Sequence, residues 1–208
     1  MTHHLQIVLR DVTPAVVREI AVPSWLRLDQ LHDAIQIVMG WSDSHLHQFV
    51  VGADLGGGTR YGPPDSEFDD ADNERKVTLQ QVAAAEGARM TYWYDFGDDW
   101  IHDLTVKSVS PSDDAGDVLE CLTGSGACPP EDCGGPWRYQ ELLEILAQPS
   151  HPEYAETLDW LDGGWDADRF DIAAVNAQLS ELLAFWQRMA RARKSAAGKR
   201  RSGRTGKR

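Results

Sequence analysis

Cys121, Cys128 and Cys133 fall within thirteen positions, in ECLTGSGACPPEDCGG. Thiolates are good zinc ligands, and a structural zinc site closes a tetrahedron of four donors. Three thiols therefore need a fourth donor from elsewhere, and the intervening glycines and prolines would let the backbone bend around an ion. The spacing lacks the close cysteine pairs of common zinc ribbons. Buried thiol packing is the competing reading, because free cysteine is among the most buried residue types. An odd number of cysteines in one short segment argues against a disulfide framework. The fourth donor would be His102, His47 or His45. On a strand, residues two apart face the same way, so His45 and His47 would point together. His102 would share a strand face with Trp100, Leu104 and Val106, where a hydrogen-bonded core role competes with ligation. His32, on an apolar helix stripe, reads as a core residue.

A second chemistry uses the same imidazoles. If His45, His47, His102 and Asp98 or Asp99 surrounded an ion with one position open to water, the site would be hydrolytic. The acidic segment Tyr94-Asp95-Phe96-Gly97-Asp98-Asp99-Trp100 could also bind a hard cation, but aspartates commonly bond turn amides, and that reading is preferred. Two tempting motifs fail. Gly58 stands where a phosphate-binding loop from Gly52 would need lysine, and Arg75 stands where a calcium loop from Asp70 would need glycine.

These residues must be positioned by the elements around them. Period-two patterning marks strands at 4–10 and 16–22, although Arg18 interrupts the apolar face of the second. Leu28, Leu31, Ile35, Val38 and Met39 repeat at helical spacing, and Gly40 supplies the stop. Residues 46–52 return to strand character, and 56–73 read as a long exposed loop. A short helix is expected at 77–85, then two strands at 89–95 and 100–109 joined by the acidic turn. Residues 121–136 read as an irregular knot. Helices follow at 139–147, at 152–161 and from about 170 into the tail. Strands first and helices later suggest α+β: an antiparallel sheet of about five strands packed against helices, with a helical C-terminal half.

Charge divides the 208-residue chain, whose formal net charge is −13. Ten of its twenty Lys and Arg lie in 188–208, which holds no acid, so residues 1–187 set ten bases against all 33 acids, a balance of −23. One domain over 1–187 and a basic helix end with a disordered tail over 188–208 are expected. The tail bases, including Arg200, Arg201, Arg204, Lys207 and Arg208, could contact DNA or RNA phosphates, against repulsion from the acidic body. No apolar run approaches a bilayer span and the start lacks a secretory pattern, so the expected location is cytoplasmic, with no membrane contact.

Four stretches taken together resemble the plasmid pRiA4b ORF-3-like family: LRLDQLHDAIQIVMGWSDSHLHQF, YWYDFGDDWIHDL, CPPEDCGGPWRYQELLEILAQPSHPEY and WDADRFDIAAVN. Members also carry the label of insertion-element passengers or resolvases. The resemblance runs from about residue 5 to 179 and implies an α+β fold and no established activity. Its motif positions here are Leu31, His32, Gly40, Trp41, His45, His47, Asp95, Gly97, Trp100, His102, Pro129, Pro130, Glu131, Asp132, Gly134 and Gly135. Val17 departs from the usual tryptophan and Arg138 from the usual glycine, the latter raising the question of a turn before Tyr139. Recombinase chemistry is disfavoured, because the acidic body lacks an arginine cluster to hold a scissile phosphate. The resulting expectation is a non-enzymatic accessory domain of plasmids or insertion elements, aided by structural zinc and binding a protein or nucleic-acid partner. Its alternatives are a metal-dependent hydrolase or nuclease-like enzyme, and nucleic-acid binding through the tail.

Overall fold

The computed structural model describes residues 1–52, 54–64, 71–112 and 117–202, except the side chains of 194 and 196–202. In chain order it contains β1 (Thr2–Leu9), β2 (Val17–Pro23), α1 (Leu28–Met39), β3 (His47–Val51), β4 (Thr59–Gly62) and β5 (Asp72–Asn73). A 3-10 turn (Glu74–Lys76), α2 (Leu79–Val82), β6 (Arg89–Tyr94), β7 (Trp100–Ser110) and β8 (Glu120–Ser125) follow. The chain then forms α3 (Gly135–Leu146), α4 (Tyr154–Trp160) and α5 (Ile172–Ser202). The strands make one sheet in the order β5-β4-β3-β6-β7-β1-β2-β8. All pairs are antiparallel except β4 with β5.

The α+β class holds, but the sheet has eight described strands rather than about five. The additional ones are short or atypical in composition. β4 and β5 lie inside the expected 56–73 loop, of which 65–70 fall outside the described residues, and β8 lies inside the expected knot. TRYG, DN and ECLTGS lack a period-two apolar stripe, and their pairing comes from neighbouring strands already in place.

Strand alternation puts Leu5, Ile7, Ile20, Val22, Phe49, Tyr92, Tyr94, Trp100, Leu104 and Val106 into one buried cluster. α1 adds Leu28, Leu31, Ala34, Ile35 and Val38 to it. The helix ends at Gly40, whose left-handed φ of 90° lets its N–H reach Gln36 O, the common glycine stop. On α5, Leu179 and Trp186 are buried, and Ile172, Val175, Leu182 and Leu183 pack beside them. Asn176 of α5 also pairs with the backbone of Cys121, accepting from its N–H at 2.7 Å and donating to its carbonyl at 2.9 Å. A helix side chain thus satisfies backbone groups on an edge strand, where an open edge would invite pairing with another chain.

Arg18, the residue that broke the apolar pattern of β2, is only 1% exposed. Its guanidinium donates to the carbonyls of Val38 at 2.7 Å, Val17 at 2.8 Å, Ser125 at 2.6 Å and Gly126 at 2.8 Å. The Phe170 ring covers it, 3.8 Å from the guanidinium carbon. The planar fork of donors thereby ties β2, the end of α1 and the end of β8 together. Gly124 is required at this point, because a Cβ there would sit 2.4 Å from the Phe170 ring.

Within the basic segment α5 runs to Ser202, where alanine, arginine and lysine extend a helix already nucleated by its packed apolar stripe; residues 203–208 lie outside the described residues. Arg200 and Arg201 belong to that helix, whereas Arg204, Lys207 and Arg208 lie outside the described residues. The Arg138 question also resolves: Arg138 lies within α3, and the positive φ angles fall on Gly134 and Gly135 before it. Among the described residues, no helix is long and apolar enough to cross a membrane.

Candidate metal centre

α1, β3 and the connector between them bring His32, Asp43 and His47 together. One donor atom from each lies within 4.8 Å of the others. The His32 and His47 rings stack face to face, with centroids 3.5 Å apart and planes 6° from parallel. Both imidazoles are nearly buried, at 6% side-chain exposure, while Asp43 is 57% exposed. The centre therefore has a buried nitrogen side and a carboxylate side open to solvent.

Each donor is held from behind. His32 Nε2 lies 2.9 Å from Asp43 Oδ1, and its Nδ1 lies 2.8 Å from the Tyr92 hydroxyl. That hydroxyl accepts from Gln36 Nε2 at 2.9 Å, and Gln36 Oε1 accepts from the Asp43 N–H at 3.0 Å. His32, Tyr92, Gln36 and Asp43 thus close a ring of hydrogen bonds. Asp43 completes it from a left-handed backbone with φ of 58°, which aspartate tolerates better than most residues. The His32 hydrogen bond holds the Asp43 carboxyl below its usual range, against the opposing effect of burial. His47 Nε2 lies 2.8 Å from Oε2 of Glu74, a carboxylate only 3% exposed.

Proton assignment follows from the acceptors. A carboxylate only accepts, so His32 donates from Nε2 to Asp43 and His47 donates from Nε2 to Glu74. His47 Nδ1 then keeps a lone pair. A cation could take that lone pair directly, whereas His32 would have to give up its Nε2 proton or move it to Nδ1, facing Tyr92.

A second group forms beside the first. His45 Nε2 lies 3.1 Å from Asp132 Oδ1 and 3.6 Å from Asp95 Oδ2, and the three can surround an ion. Neither contact is a hydrogen bond, and the shielded Nε2 is left without a hydrogen-bond partner. Asp95 Oδ1 instead accepts the N–H groups of Gly97 and Asp98. Asp99 accepts from the Trp93 indole, and Asp98 accepts the Gly134 N–H at 3.0 Å. The last contact needs glycine at 135, where a Cβ would lie 2.5 Å from the Asp98 carbonyl oxygen. Apart from the free oxygen of Asp95, the acidic turn is therefore structural.

The expected thiol site does not assemble. Cys121, Cys128 and Cys133 are all free, and none joins a group of three potential metal donors among the described residues. Cys121 lies on β8, facing the core, and Cys128 is packed into the same cluster. Burial raises all three thiols above their ordinary range, Cys133 to about 12. Extended β8 removes Cys121 from any turn around an ion.

The imidazoles are also distributed differently from expectation. His47 joins His32, His45 joins two aspartates, and His102 stands apart from both groups. His102 is fully buried, with the Trp41 ring edge-on to it at 5.3 Å. Its Nδ1 lies 3.2 Å from the Tyr92 carbonyl, so it carries the proton, and its Nε2 has no partner. Burial drives His102 down to about 4. His32 is buried and hydrogen-bonded, as its apolar helical neighbours suggested; what sequence reasoning missed is its meeting with His47 and the parts taken by Asp43 and Glu74. The available signal was the placement of Asp43, His45 and His47 at alternate positions after a helix that already carries a histidine.

These features define an α+β protein with one helix-covered sheet and imidazole–carboxylate groups at the β3–β6 side. The chain belongs to the plasmid pRiA4b ORF-3-like family, whose model matches residues 2–174. It is 39% identical over 191 residues to the uncharacterized protein y4hQ of Sinorhizobium fredii, covering 90% of this chain and 95% of that one. It is also similar to the crystal structure of MM3350, a protein of unknown function from Methanosarcina mazei Go1. That match has a TM-score of 0.73 and 34% identity, over 83% of this chain and 96% of the other. No activity is established in these comparisons.

Proposed function

We propose that this chain is a metal-binding accessory domain of plasmid- or insertion-element-borne systems, and that His32, Asp43 and His47 hold the ion. The observation that carries this reading is three clustered donors from three elements, each oriented by a further polar partner. Ligating imidazoles commonly bond an outer carboxylate or hydroxyl with their other nitrogen. Two nitrogens and one carboxylate suit zinc, and also iron(II). Elemental analysis of untagged protein tests the proposal. About one zinc or iron per chain is expected, falling to background in His47→Ala and His32→Ala while the circular dichroism spectrum is unchanged. A metal-free wild type that also fails to take up added zinc would make the cluster an ordinary hydrogen-bonded network.

A hydrolytic reading is favoured by the exposed Asp43, because three protein ligands leave a coordination position for water. Turnover of a chromogenic phosphodiester that disappears in His47→Ala would support it. Nucleic-acid contact through the basic segment is supported by the extension of α5 to Ser202, which lines successive bases along one helix. Truncation after Ala190 should abolish that affinity; binding that survives would refute the tail's role.

A further inference from the structure

A cavity of about 680 Å³ adjoins the candidate centre, and Arg27, Arg75 and Arg193 reach its wall with His32, Asp43 and His47. Three guanidiniums converge here on a body that is otherwise strongly acidic. Arg27 is engaged, its fork lying 2.8 and 2.9 Å from the two oxygens of Asp29. The guanidiniums of Arg75 and Arg193 make no hydrogen bond or ion pair among the described residues. Arg75 comes from the turn that also supplies Glu74, and Arg193 comes from α5. Three distant stretches therefore deliver cationic groups to one opening.

The carboxylates of Asp29, Asp33, Asp43 and Glu74 line the same cavity. Without a cation the four carboxylates outnumber the three guanidiniums and the wall is net negative; a divalent ion on His32, Asp43 and His47 reverses that sign. Resting on the metal reading above, we propose that the cavity receives a phosphate group, with one oxygen on the ion and others facing Arg75 and Arg193. Guanidinium donors match phosphate oxygens geometrically, and a metal ion neutralises the remaining charge. The same chemistry fits a small phosphomonoester or a phosphodiester in a nucleic-acid strand.

Calorimetry with inorganic phosphate tests this on the full chain loaded with zinc and on the chelated chain. The zinc-loaded protein should bind phosphate at a single site, and the chelated protein should not. Arg75→Gln and Arg193→Gln should each weaken binding about tenfold or more, the scale of a lost charged hydrogen bond, with zinc content unchanged. A short single-stranded oligonucleotide separates the two sources: displacement by inorganic phosphate indicates a phosphodiester in the same cavity, and no competition indicates a small phosphate ligand. Zinc-loaded protein that ignores millimolar phosphate, or arginine variants that bind it equally well, would overturn this inference while leaving the metal site standing. Wild type that takes up no zinc would overturn both.

Discussion

The thiol segment around Cys128 and the imidazole cluster around His47 both carry metal-type donors, and their surroundings differ in kind. Around Cys128 the partners are apolar, and burial keeps the thiols protonated. The segment is anchored instead by backbone carbonyls on buried Arg18 and by Asn176 on the edge of β8. Around His47 the partners are carboxylates and a phenol, one face is open, and the donors converge. What separates the two regions is not the softness of the donor atoms but the company each donor keeps. The thiol segment does contribute to this region, but through other residues. Glu131 accepts from the Tyr94 hydroxyl at 2.6 Å, and Asp132 faces His45.

The contrast is sharpest in Arg18. Arg18→Met removes the donors of four carbonyl bonds and should cost about 3–5 kcal/mol, since buried acceptors left without partners are expensive. Urea denaturation would measure it, with metal content per folded chain unchanged. Loss of metal together with stability would show that the two regions are coupled. Next in size, His47→Ala should weaken zinc affinity about a hundredfold or more, because losing a ligand should exceed the roughly 10–100-fold cost of losing one of its outer partners. A chelator competition titration reads this directly, and an unchanged affinity would break the comparison at its imidazole end.

His102 separates a core imidazole from a site imidazole. An unfolded chain binds its proton at the ordinary value near 6.5, and the folded protein only near 4. Stability from this group is thus complete above about pH 6.5 and declines as pH falls toward 4, by roughly 2–3 kcal/mol. His102→Leu should flatten that acid limb in denaturation curves at pH 7 and 4.5, and an equally steep limb would reject the assignment. Asp33 acts in the opposite direction over part of the same range. Burial raises it to about 6, so its folded form holds a proton that the unfolded chain releases, and its contribution weakens as pH rises from about 4 to 6. The smallest effect is expected from Cys128→Ala, about 1–2 kcal/mol for a trimmed buried side chain. Its metal content should match wild type; a loss of zinc in this variant would restore the thiols as ligands.

Periodicity identified five strands of the sheet and the main helices, because each of these buries one face and its apolar residues repeat accordingly. It missed β4, β5 and β8, whose pairing depends on neighbours. Local chemistry singled out His45 and His47 through their shared strand direction, yet grouped them with the thiols or with His102 and the acidic turn rather than with His32 and Asp43. The helical stripe of His32 spoke only for its burial, and Asp43 lies in no periodic pattern.

What the chain's own residue pattern determined is the α+β class, the acidic body with its basic end, the family motifs and a stock of possible ligands. Tertiary structure alone decided which ligands meet: β3 beside β6 and α1 across from them turn His32, Asp43 and His47 toward one point, while β8 carries Cys121 into the core. Periodicity reports the burial of a face, which each segment encodes locally. Convergence of donors is a relation between segments, and only their packing supplies it.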